Sequence, residues 1–125
     1  MQLSHSIQMM GTTIDILIDS DTPKEHIAEV CHLLELYKNR FSANDADSEL
    51  MVINDNSSIA PVTVHQDLFN LIAIGKKHSL ATPSNLNIAI GPWVQSCRIG
   101  FDDAIVPSPH EIQKALALAD PQNII

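Results

Sequence analysis

Six histidines are the first side chains to weigh for metal or acid–base chemistry: His5, His26, His32, His65, His78 and His110. None falls in an HxH, HxxxH or HExxH spacing, the patterns that let imidazoles converge on one ion from one face. His26 and His32 stand six positions apart on one expected helix and do not share a side of it. Asp45, Asp47 and Glu49 form a dense acidic group that could in principle ligate calcium. It lacks the glycine and terminal glutamate of an EF-hand loop, so helix-start capping is the better reading. Cys31 and Cys97 are far apart and make no CxxC pair, which points to reduced thiols. No serine sits in a GxSxG elbow, and no GxGxxG or GxxxxGK[ST] loop is present to cradle phosphate. Asp102-Asp103 reads as an exposed loop pair. Residue types alone therefore define only a small α+β domain.

The elements that would position these residues are better marked. Ile14, Ile16 and Ile18 alternate with Asp15 and Leu17, so residues 12–18 read as a strand, with Gly11 allowing an unusual backbone just before it. Thr22-Pro23-Lys24-Glu25 has the form of a capping box with proline at the first helical position. Ile27, Val30, Leu33, Leu34, Tyr37 and Phe41 then predict one buried face on a helix over about 23–41. Asp47 or Ser48 can start a short helix through Ile53, and residues 54–58 form a polar loop. Pro61 leaves residues 59–62 a short extended piece at best.

Thr63-Val64-His65-Gln66 repeats the capping pattern and predicts a helix to about residue 80. Gly75 inside that helix costs about 1 kcal/mol relative to alanine, which marks a close contact. Residues 81–86 form a loop around Pro83, and Leu86 to Val94 reads as an extended apolar segment broken at Gly91-Pro92. Residues 100–107 are loop. Ser108-Pro109-His110-Glu111 opens a last helix over Ile112, Ala115, Leu116 and Ala119, ended by Asp120-Pro121. A sheet of two or three strands beside so much helix looks incomplete. The apolar end Ile124-Ile125 has the character of a strand entering a core, which suggests a fragment with exposed apolar surface and a tendency to self-associate.

Bulk properties narrow the function classes. The 125 residues suit one ordinary domain, and 45% hydrophobic residues are too many for a disordered chain. Fifteen acidic against seven basic residues leave a formal charge of −8, which repels phosphate backbones and anionic membranes and argues against nucleic acid as a partner. The start, Met1-Gln2-Leu3-Ser4-His5, has neither the basic nor the apolar stretch of a signal peptide, no cysteine stands near it for lipid attachment, and no run is long enough to span a bilayer. The expectation is a cytoplasmic chain.

Three segments carry a resemblance. Met10-Gly11-Thr12 opens the long strand. The stretch Phe41-Ser42-Ala43-Asn44-Asp45-Ala46-Asp47-Ser48-Glu49-Leu50 ends in Ile53-Asn54. The third is Asn85-Leu86-Asn87-Ile88-Ala89-Ile90-Gly91-Pro92-Trp93-Val94. In order and separation they resemble the Met-Gly-Thr, Phe-Ser-x-aromatic-x-x-x-Ser-Glu-Leu…Asn and Ala-Phe-Asp-x-Thr-x-Gly-Pro-Leu-Val motifs of the ApbE flavin-transferase family. The resemblance runs over about residues 7–123 and corresponds to the front part of a complete family member.

The resemblance implies an α+β fold: a partial ApbE-like (T-fold-like) domain with a small antiparallel or mixed sheet and three to four helices, residues 1–125 being the amino-terminal portion of one such domain. It implies a Mg-dependent FAD:protein FMN transferase, which moves the FMN half of FAD onto a Thr or Ser of a target protein and releases AMP. Flavin contacts would fall on Met10, Asn44, Asn85, Leu86 and Asn87, with no catalytic or metal ligand within this chain. The family's metal-binding segment would lie beyond residue 125, so that FAD is the substrate and Mg belongs to the complete enzyme. Departures are visible: Asn44 stands where the family has an aromatic ring, Asn87 where it has a carboxylate, Ala89 where it has a hydroxyl, and Cys97 where it often has Trp, with Trp93 nearby. Two rival readings stay open: a catalytically silent flavin-binding or interaction domain, and a structural domain sharing only the fold.

Overall fold

The computed structural model describes all 125 residues. The chain is α+β, with one two-stranded antiparallel sheet and five α-helices, and it divides into two compact units, Met1–Val64 and His65–Ile125.

In the first unit, β1 (Gln2–Met9) pairs with β2 (Thr12–Asp19) from Met9↔Thr12 to Gln2↔Asp19. Leu3, His5 and Ile7 oppose Ile18, Ile16 and Ile14 on one face, against which α1 (Pro23–Phe41) packs. The other face is mostly polar: Ser6 Oγ donates to Asp15 Oδ1 at 2.5 Å and Gln8 Nε2 to Thr13 Oγ1 at 2.6 Å. β1 is the strand the alternation did not bring out. Its inward row is interrupted by His5, and it is stabilised by its partner strand rather than by its own apolar content.

Helix α1 has Pro23 in its first turn and Lys38 and Arg40 in its last, where cations complement the helix dipole. Thr22 occupies the cap position, but its side chain makes no capping bond, so the box expected there does not form. Ile27 is buried; Leu33, expected on the same face, is 47% exposed. The short α2 (Glu49–Asp55) follows a loop at 42–48.

In the second unit, α3 (Gln66–Ser79) is capped by His65, whose Nδ1 accepts from the Asp67 amide at 3.1 Å. The cap is therefore the imidazole and not the Thr63 hydroxyl. Gly75 marks a real close approach: a Cβ there would lie 2.8 Å from Ile88 Cγ2. The segment expected to run extended to Val94 becomes α4 (Gly91–Cys97) instead. A short apolar run does not distinguish strand from helix, and Pro92 in the first turn presets the helical φ.

Arg98 ends α4 in the left-handed conformation (φ 50°) and meets Asp103 at 2.7 Å, a contact that holds the Asp103 carboxyl below its usual range. Helix α5 (Pro109–Leu118) has the full capping box: Ser108 Oγ accepts from the Glu111 amide, and Glu111 accepts from the Ser108 amide at 2.7 Å. Hydrogen bonds from the Ser108 hydroxyl and amide lower the Glu111 carboxyl. A 3-10 turn at Pro121–Asn123 follows, and Ile124 and Ile125 join no strand.

Candidate functional site

Met10 and Gly11 form the two-residue connection of the β1–β2 hairpin, with φ of 55° and 73°. Positive φ at both positions is the pattern of a type I′ turn, whose twist matches that of the flanking strands. Glycine takes it freely; methionine does so at a cost of roughly 1–2 kcal/mol. Met10 is also 56% exposed, so no buried packing of its side chain offsets that cost. A bulky, strained, exposed residue at a turn tip is the kind of outlier found where a side chain serves a ligand. Met10→Asn, which keeps the left-handed backbone and removes the thioether, is expected to raise stability by about 1 kcal/mol in urea denaturation. A stability loss would mean that Met10 packing outweighs its strain.

The turn borders an open hollow of about 390 Å³, lined by residues 8–12 of the hairpin and by Glu35 and Lys38 of α1. Sequence reasoning singled out Met10 but not Glu35 or Lys38. Their spacing places them on one helix face, yet nothing local says that this face meets the turn.

The 42–48 loop carrying Asn44 is held by a chain of polar contacts. Ser42 Oγ accepts from the Asn44 amide at 3.2 Å, and Asp45 Oδ1 from the Asp47 amide at 3.2 Å. Ser48, 1% exposed, donates to the Ser42 carbonyl at 2.6 Å and accepts from the Met51 amide at 3.1 Å, capping α2. Asp45 meets Lys38 Nζ at 3.4 Å and Glu49 meets Arg40 Nε at 3.4 Å. Most of the acidic group is thus engaged with cations and backbone amides. Asn44 itself is exposed and does not line the hollow, but its neighbour Asp45 is tied to Lys38, which does. The aromatic surface beside this loop is the stack of Tyr37 on Phe41, ring centroids 5.3 Å apart.

Asn85, Leu86 and Asn87 lie in the second unit, in the loop between α3 and α4. Asn85 and Leu86 are exposed, and the Leu86 amide donates to Ser84 Oγ at 3.1 Å. Asn87 is engaged at both ends of its amide: Nδ2 donates to the Ala119 carbonyl at 2.8 Å and Oδ1 accepts from the Ala89 amide at 2.9 Å. An ionised carboxylate could not make the first of these bonds, which gives the departure to asparagine a structural consequence. The Ile88 amide donates to Ser79 Oγ at 3.1 Å, so this loop is fastened to α3 and to the end of α5.

No group of three or more His, Cys, Asp or Glu side chains is placed to hold a metal ion. Cys31 and Cys97 are free. No helix is long and apolar enough to cross a membrane.

This architecture resembles solved flavin transferases. The flavin transferase ApbE from Vibrio cholerae (H257G mutant) matches with a TM-score of 0.83 at 25% identity, covering 98% of this chain and 42% of that one. The Thermotoga maritima ApbE protein matches at 0.86 and 20% identity, covering 100% and 41%, a likeness of fold. The ApbE family model matches residues 10–125, beginning at the turn methionine. The chain therefore belongs to the ApbE family. It is 37% identical over 123 residues to a protein of Klebsiella pneumoniae (strain 342) named FAD:protein FMN transferase, and 30% identical over 123 residues to one of Treponema pallidum (strain Nichols) with the same name. These alignments cover 98% and 95% of this chain but only 38% and 34% of the relatives' lengths.

Proposed function

We propose that this chain provides flavin-contacting residues of an FAD:protein FMN transferase. In that reaction a Thr or Ser hydroxyl oxygen of a target protein forms a bond to the FMN phosphorus, the bond from that phosphorus to the bridging pyrophosphate oxygen breaks, and AMP leaves while the hydroxyl proton is released. The observation that carries the reading is the 37% identity over 98% of this chain to a protein of that name.

In this reading the Met10 thioether lies against a ring face, Leu86 adds apolar contact, and Asn85 and Asn44 offer amides at the surface. Asn87 positions its loop through Ala119 and Ala89. Magnesium, which the family resemblance implies, would supply positive charge to the pyrophosphate when bound. Residues 1–125 as the amino-terminal portion of one ApbE-like domain, a cytoplasmic location and self-association through the outer sheet edges belong to the same reading. Its supports are the two free thiols and a sheet of only two strands.

The test is titration of FAD with the chain, followed by incubation with magnesium and an acceptor peptide bearing the target Thr. A saturable change in flavin emission is expected. Covalent flavin on the peptide would extend the reading to transfer by this segment itself. Absence of any spectral change at millimolar flavin would overturn it.

A further inference from the structure

We infer that Glu35 and Lys38 form a recognition pair at the hairpin hollow, taking the hydrogen-bonding edge of a planar heteroaromatic ring whose face rests on the turn methionines. This rests on the proposed flavin-nucleotide function and adds to it two binding residues on α1.

The two side chains stand at i and i+3 and line the same open hollow beside the hairpin turn. No hydrogen bond or ion pair engages the Glu35 carboxylate, an acceptor open to a ligand N–H. Lys38 has three donors and a single loose contact, Asp45 at 3.4 Å, so it can donate to a ring nitrogen or carbonyl. Met9 and Met10 bring polarizable thioethers, which favour aromatic partners, and the strained backbone of Met10 keeps its side chain at the turn.

An adjacent acceptor and donor match an edge that carries an N–H beside a lone pair. Both the flavin ring and adenine have such an edge. A phosphate fits worse, because it would approach an unpaired carboxylate and compete with Asp45 for Lys38.

Riboflavin and AMP, titrated separately against the chain, distinguish the two rings. Whichever binds is expected to lose about tenfold in affinity in Glu35→Ala and in Lys38→Met, and less in the isosteric Glu35→Gln. Glu29→Ala, elsewhere on α1, should leave it unchanged. Far-UV circular dichroism checks that each variant is folded, and Glu35→Gln keeps the test valid should Glu35→Ala fail that check.

Wild-type binding with both Glu35 variants and Lys38→Met within twofold of it would overturn the pair and leave the proposed function standing. Failure of both ring probes, and of FAD, to bind the wild type would overturn both. Binding of inorganic pyrophosphate at the hollow without either ring would make it an anion site and overturn the pair alone.

Discussion

Ser48→Ala is expected to lower stability by about 2–3 kcal/mol. The hydroxyl is 1% exposed and makes two bonds that no neighbouring group replaces. Losing the helix cap at the Met51 amide costs about 1 kcal/mol. Leaving the part-buried Ser42 carbonyl without its donor adds about 1–2 kcal/mol. In urea the midpoint should fall by roughly 1–2 M at the slopes usual for small domains. Because the same hydroxyl joins the end of α1 to the start of α2, hydrogen exchange should rise first at the amides of Asn44, Asp47 and Met51. A loss below about 0.5 kcal/mol, the size of an ordinary surface substitution, would show that the 42–48 loop is held by its ion pairs instead.

The second large effect lies in the other unit. Leu68, at 1% exposure, is the one large aliphatic side chain among the buried hydrophobic residues of His65–Ile125; the others are Cys97, Ala115 and Ala119. Leu68→Ala is expected to cost about 3 kcal/mol, the sum of lost transfer energy and an unfilled cavity. So narrow a core has little else to compensate. Trp93, the single tryptophan, belongs to the same unit and reports its unfolding by emission. Leu71→Ala, on the same helix but 52% exposed, is the control and should stay within about 0.5 kcal/mol of wild type. Equal effects from the two would contradict the assignment of Leu68 as the centre of this core.

Both variants act on scaffolding, whereas Met10, Glu35 and Lys38 act at the hollow. That separation makes the functional tests interpretable. Met10→Asn is expected to stabilise the hairpin and, under the proposed flavin-contacting role of Met10, to weaken flavin binding, so that stability and binding should move in opposite directions. A substitution that merely loosened the fold would lower both.

What local chemistry specifies was legible from the residues. Pro23 in the first turn, the Ser108–Glu111 box, the Ser48 cap and the isoleucine alternation of β2 are each decided within a few residues of chain. The motif Phe41 to Leu50 was legible as a resemblance, and the structure gives part of it a physical role: Ser42, Asp45, Ser48 and Glu49 fasten the loop.

Three features were not legible, for related reasons. β1 is a strand because β2 lies beside it, its own apolar row being broken at His5. Residues 91–97 are helical because Pro92 favours a helix start, a choice that apolar content left undecided. The hollow exists because α1 packs against the hairpin and brings Glu35 and Lys38 to the turn at Met10. By itself the sequence determined the Ser48 and Ser108 caps, most helices and the family likeness, since those depend on neighbours along the chain, whereas the boxes expected at Thr22 and Thr63 did not form. Only the tertiary structure decided which side chains share a site, because that depends on which faces pack together, and the energy of packing belongs to pairs of elements and not to either one alone.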